Sequence, residues 1–191
     1  YGIDVFCYIY LYNREWLLKT GVLFEDYRIA EDYLFVSKLL LTNPNLVSTS
    51  VRAYNYVKHP TSITGNRSAE HASLVARSYM SVFQNLLNYS TNVSPNDPEV
   101  IDCIYISLRE KMRSFLSRVL SSDIKVPEFR RMVSALKQNS LIPVMNSSGK
   151  RTKSYYHFIN YICNHPSLLN IFRFVYKKIV LPLYIPMLDR N

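Results

Sequence analysis

Two adjacent carboxylates, Glu31 and Asp32, stand in the stretch Phe24-Glu25-Asp26-Tyr27-Arg28-Ile29-Ala30-Glu31-Asp32-Tyr33-Leu34-Phe35, where polar loop gives way to an apolar helical period. At such an entry the free backbone N–H groups and the helix dipole favour ionised carboxylates. Asp32 is therefore expected to stay deprotonated and fixed in orientation. A fixed, ionised carboxylate can take a proton from an attacking hydroxyl, which is general-base chemistry. The same residue types also stabilise a first helical turn without reacting with anything, and taken alone the pair favours that plainer role.

Further polar and aromatic groups follow within about thirty residues. Tyr54 and Tyr56 share one face of an extended segment by its period of two, which suits core packing or a platform on which a sugar stacks. His59, Ser62 and Thr64, in His59-Pro60-Thr61-Ser62-Ile63-Thr64, can donate hydrogen bonds to departing oxygens. Pro60-Thr61-Ser62 is equally ordinary turn chemistry. Ser148-Gly149-Lys150-Arg151-Thr152 lacks the earlier Gly of a phosphate loop, and Arg stands where that loop needs Ser or Thr. With only four Gly in the chain, Gly-rich nucleotide loops are not expected. Cys7, Cys103 and Cys163 are odd in number and form no C-x-x-C, which argues against a disulfide framework and a zinc site, and fits a reducing compartment.

The elements that position these groups are read from periodicity. Val5 to Leu11 fits a strand or a buried first turn, Arg14 to Thr20 a short helix closed by Gly21, and Glu31 to Thr42 a helix ended by Asn43-Pro44. Leu46 to Lys58 is rich in Val, Thr and Tyr and alternates, so a strand or bent pair is expected there. Beyond Asn66 the chain turns helical. One helix carries Val75, Tyr79, Val82, Phe83 and Leu86, and another Ile104, Leu108, Met112, Phe115 and Val119. A third starts at Pro127, a favoured first-turn residue. Shorter helices are expected over Tyr155 to Cys163 and Ser167 to Val180. Core candidates are Phe35, Leu39, Tyr79, Phe83, Leu86, Leu108, Phe115, Met132 and Leu136.

The 191 residues, 48% of them hydrophobic, suffice for a packed core, and the formal charge is +9. Such a charge serves nucleic acid, an anionic bilayer or an anionic substrate. No nucleic-acid motif is present, and Arg109, Lys111, Arg113 and Arg118 spread around their helix, so nucleic acid is not the expected partner. No run reaches the roughly 18 apolar residues of a spanning helix. The segment 170–181, Asn-Ile-Phe-Arg-Phe-Val-Tyr-Lys-Lys-Ile-Val-Leu, mixes aromatics with cations. It suits either an anionic membrane surface or a docked helix with a solvated basic face.

Five pieces in order over about sixty residues resemble the bacterial family 2 glycosyltransferases with the A-type fold. They are Tyr12-Asn13-Arg14-Glu15-Trp16-Leu17, Leu23-Phe24, Glu31-Asp32 with Phe35, Tyr54-Asn55-Tyr56, and His59 to Thr64 with its Ser62-Ile63-Thr64. The departures from the pattern are Tyr8 for a frequent Trp, Ile9 for Asn and Asn13 for Arg. The resemblance implies an α-dominant α+β chain. Residues 1–66 would be the acceptor-side, catalytic-base remnant of the A-type fold, and 67–191 a helical C-terminal region. It implies Asp32 as base, Glu31 beside it, and substrate contacts from Tyr54, Tyr56, His59, Ser62 and Thr64. The partners would be a nucleotide-sugar donor and a glycan or lipid-linked acceptor, met in the cytoplasm or at the inner face of the membrane.

Members of that family hold the nucleotide in an N-terminal half, through an Asp-x-Asp motif and a divalent metal such as Mg or Mn. No Asp-x-Asp occurs here, and the chain opens Tyr1-Gly2-Ile3-Asp4. The expectation is an excised fragment, inactive alone, that either pairs differently or associates with a second copy to cover its exposed face. The alternative is a non-catalytic basic helical module that binds a membrane surface, nucleic acid or protein.

Overall fold

A computed structural model of the chain describes residues 6–51, 54, 55, 57, 66, 68–93, 98–143 and 153–180. Regular structure among them is helical. A 3-10 turn over Cys7–Ile9 precedes α1 (Arg14–Thr20), α2 (Glu31–Leu40), α3 (Ala69–Val93), α4 (Pro98–Ser121), α5 (Val126–Gln138) and α6 (Lys153–Asn164). A second 3-10 turn over Pro166–Leu168 leads into α7 (Leu169–Val175), which continues at π spacing over Tyr176–Val180. The chain forms two compact units, residues 1–66 with 78–104 and residues 67–77 with 105–191.

The α-dominant expectation holds, but the expected β component does not appear among the described residues. Positions 46–51, 54, 55 and 57 lie outside regular structure and are exposed. A strand persists only where its N–H and C=O groups pair with a neighbour. No ladder partner stands beside this segment among the described residues, so its Val, Thr and Tyr content has nothing to pair with. Of the span Val5 to Leu11, where a strand or a buried first turn is expected, the described residues hold a 3-10 turn over Cys7–Ile9, closed by the Ile9 N–H bond to the Phe6 carbonyl at 3.2 Å and containing no buried residue.

In the first unit α1 is set by its ends. The Asn13 side chain accepts the Trp16 N–H at 2.9 Å, and Gly21 takes φ +65° to close the helix. Helix α2 is different in kind: every residue from Tyr33 to Leu39 is buried, leaving no solvent stripe over that stretch. Phe24 stacks on Phe35 with centroids 4.0 Å apart, and Tyr12 meets Phe35 edge-on. Val82, Phe83, Leu86 and Leu87 of α3 are buried in the same unit, whereas Tyr79 is half-buried and stacks on Phe83. The helix ends at Leu40, two residues before the expected Thr42, whose hydroxyl donates back to the Leu39 carbonyl at 2.8 Å.

The second unit buries Leu108, Met112, Phe115, Leu116 and Val119 on one stripe of α4. From α5 it buries Phe129, Met132, Val133 and Leu136. Pro127 lies in the first turn of α5, where a missing N–H costs nothing. Ile159, Ile162 and Cys163 of α6 and Leu169 of α7 complete the apolar set. Polar ties cross the sequence here. Arg77 grips Glu128 through two bonds of 2.7 and 3.1 Å. The Ser73 hydroxyl donates to the Asp123 carboxylate, and Arg173 donates to the Val119 and Ile124 carbonyls at 3.3 and 2.8 Å. Val119 lies in the last turn of α4, where helical partners run out, and Ile124 in the link that follows it. The core candidates are buried with the exception of Tyr79.

Ala30, immediately before the carboxylate pair, adopts φ 65° and ψ 20°, the left-handed region that a Cβ disfavours. Ala30→Gly removes that Cβ and is expected to raise the unfolding free energy by about 1 kcal/mol, measured as a higher urea midpoint at unchanged m.

Candidate functional site

Asp32 occupies the second position of α2. Its Oδ1 accepts the Tyr33 N–H at 2.7 Å, one of the donors that a helix start leaves without an intrahelical partner. The first intrahelical bond, Leu34 N–H to the Ala30 carbonyl at 3.1 Å, fixes the turn on which both carboxylates stand. Glu31 and Asp32 are each partly exposed. The pair is thus held by backbone while remaining reachable from solvent.

Helix α2 meets the Cys7–Ile9 turn. Burial, followed by the negative charge of Asp32, holds the Cys7 thiol above its ordinary pKa, and Glu31 adds a smaller push. The residues on either side of Cys7 in sequence stack on each other: Phe6 lies on Tyr8 with centroids 5.4 Å apart, and Tyr8 lies on Tyr54 at 4.6 Å. The carboxylates thus act electrostatically on a turn whose flanking rings begin a three-ring stack. Tyr12 reaches the same turn, donating to the Cys7 carbonyl at 3.2 Å, and its own pKa is pushed up to about 12, mainly by burial. Tyr54 is 53% exposed and is not a core residue. Tyr56, His59, Ser62 and Thr64 lie outside the described residues.

A second group of side chains gathers around Lys38. The residue is 8% exposed, and its ammonium pairs with the Glu25 carboxylate and lies 4.8 Å from the centre of the Tyr89 ring. The other Glu25 oxygen accepts the Asn85 amide, which also reaches the Tyr27 hydroxyl at 3.3 Å. An open depression of about 560 Å³ lies beside this group, lined by Tyr27, Gln84, Asn85, Asn88, Tyr89 and Asn92 among others. Another, of about 550 Å³, runs along α5 past Arg130, Arg131 and Ser134. Asp32 lines neither. The amides of α3 carried a signal that helical periodicity could have found: Gln84, Asn85, Asn88 and Asn92 recur at three- and four-residue steps.

Among the described residues, no three His, Cys, Asp or Glu side chains gather as metal ligands would. No known protein family, curated protein or solved structure matches the chain.

The position of Asp32 has a readout that needs no activity. Asp32→Asn removes a negative charge that disfavours the Cys7 thiolate, so Cys7 should alkylate faster at pH 8 in the variant. The buried Cys163 thiol, whose pKa is pushed up to about 12, should stay unreactive in both proteins. Peptide mapping by mass spectrometry after iodoacetamide treatment checks both rates.

Proposed function

We propose that this chain is the acceptor side of an inverting glycosyltransferase that moves a sugar from a nucleotide-sugar donor to a glycan or lipid-linked acceptor. The observation that carries this reading is the carboxylate of Asp32, held by the Tyr33 N–H at a helix entry and set beside the Phe6, Tyr8 and Tyr54 stack. An alcohol is a poor nucleophile until its proton leaves. In the proposed step the acceptor oxygen forms a bond to the anomeric carbon as the bond to the diphosphate breaks on the opposite face, and the proton passes to Asp32. Glu31 orients the loop or meets the acceptor. Tyr54 supplies a ring face, and Tyr56, His59, Ser62 and Thr64 are the remaining substrate contacts in this proposal.

In this reading the donor nucleotide and its Mg or Mn ion are held by residues outside 1–191, and transfer needs both parts. Apolar surface in this stretch supports the reading: Leu11 is 85% exposed, Leu23 76%, Val47 91% and Val57 80%. A nucleotide-binding half or a second copy of the chain would cover it. The setting proposed is the cytoplasm, at the inner face of the membrane.

The membrane element rests on one further observation. Ile171, Phe174 and Ile179 are each at least 55% exposed, and Lys177 and Lys178 beside them are exposed as well. Exposed apolar side chains next to cations suit the headgroup boundary of an anionic bilayer, where lipid-linked acceptors are presented. No helix among the described residues is long and apolar enough to cross a membrane.

Two experiments test these proposals. In the parent protein Asp32→Asn should lower transfer by roughly 10²–10⁴-fold while leaving donor binding unchanged; transfer near the wild-type rate would overturn the assignment of the base. The chain should pellet with phosphatidylserine vesicles at low salt and not with phosphatidylcholine alone, and Phe174→Asp with Lys177→Glu should abolish pelleting. Failure to pellet with either lipid removes the membrane element.

A further inference from the structure

We propose that the groove on the α3 surface beside Tyr27 is a binding subsite for a neutral oligosaccharide, independent of any chemistry at Asp32. The residues along it, Gln84, Asn85, Asn88 and Asn92 with Tyr27 and Tyr89, bring side-chain amides and aromatic rings together around about 560 Å³. That volume falls in the range of roughly 300–1,000 Å³ usual for small-molecule sites.

The chemistry of the lining picks out the ligand class. A side-chain amide offers two donors and an acceptor, which matches sugar hydroxyls that each donate and accept. A tyrosine ring offers an apolar face for the C–H side of a pyranose while its hydroxyl remains a polar handle. Ionic ligands fit poorly: from Ser78 to Val93 the chain carries no Asp, Glu, Lys or Arg, within a protein of net charge +9. The two charges behind the groove, Glu25 and Lys38, are paired with one another.

An ordinary solvated helix face is the competing account, and the residue types argue against it. Such faces are normally filled with Lys, Glu, Arg and Gln, which are good helix formers and soluble. Asn is a poor one, and α3 places Asn85, Asn88 and Asn92 on a single stripe. Nor is the stripe loose. Asn85 is tied to Glu25 and Tyr27, Gln84 donates to Asn88 at 3.3 Å, and the Tyr89 ring is backed by the Lys38 ammonium. Amides that are already oriented lose less entropy when a ligand arrives.

Binding is tested with the isotopically labelled chain against neutral gluco-, galacto-, manno- and N-acetylated hexasaccharides, with a hyaluronan hexasaccharide as the charged comparison, followed by two-dimensional NMR. The expected result is saturable shifts of α3 amides with at least one neutral probe. The exposed-site variant Asn88→Ala with Asn92→Ala should weaken that binding roughly tenfold or more at unchanged circular dichroism. Asp32→Asn should leave it unaltered, so this test stands apart from the one for transfer. The proposal is overturned by no shifts with any neutral probe, by equal affinity in the double variant, by shifts confined to other elements, or by a preference for the charged hexasaccharide.

Discussion

An ammonium group inside a helix that is buried over seven successive residues has to be neutralised where it stands, because an isolated charge out of water is far too costly to keep. Lys38 of α2 meets that requirement through Glu25, thirteen residues earlier, and through the Tyr89 ring of α3. The consequence is geometric. Glu25 lies seven residues before Asp32 and Lys38 six after it, so the ion pair folds the loop Asp26 to Ala30 back along the helix it feeds. The Glu25 side chain keeps 36% of its exposure, so solvent screens the attraction and limits what the pair adds to stability. The pair is thus better understood as fixing the path of a loop than as a source of net stability.

The loop path in turn explains the backbone at Ala30. A chain tied at Glu25 and committed to helix from Glu31 must turn sharply between them, and φ 65° at Ala30 is where the turn is made. Gly would take that angle freely, yet the sequence supplies Ala and accepts the strain. The first turn then presents the Tyr33 N–H to Asp32 and leaves both carboxylates partly exposed. A half-buried ion pair, a strained residue and an oriented carboxylate form one causal chain within fourteen residues.

Much of the helical frame was legible because its signals are local. Gly21 marks the end of α1, Pro127 marks the start of α5, and the 3.6-residue period picks out Leu108, Met112 and Phe115 on α4. The expected β component is missing among the described residues for the opposite reason. Alternation of Val, Thr and Tyr over Leu46 to Lys58 says that the segment suits a sheet, while a sheet also needs a partner that no local pattern reports. At the site, the exposure of Asp32 to a helix start followed from its neighbours in sequence. Its link to Cys7, the stack of Tyr8 on Tyr54, and the pairing of Lys38 with Glu25 did not, since each joins residues brought together only by the fold. Ala30 was invisible as well, because Ala carries no preference for a left-handed backbone.

Charge divides the chain's surfaces into two kinds. Exposed lysines accumulate on the last turn, where Lys177 and Lys178 flank Ile179, whereas Ser78 to Val93 contributes no charge at all. An anionic bilayer is attracted at long range by the first and is indifferent to the second. A neutral polyhydroxylated ligand has the reverse preference, since it offers nothing for a cation to attract and many groups for an amide to bond. Salt therefore separates the two kinds of surface: it screens the attraction of the lysines for a bilayer and leaves amide bonding to a neutral ligand largely unchanged.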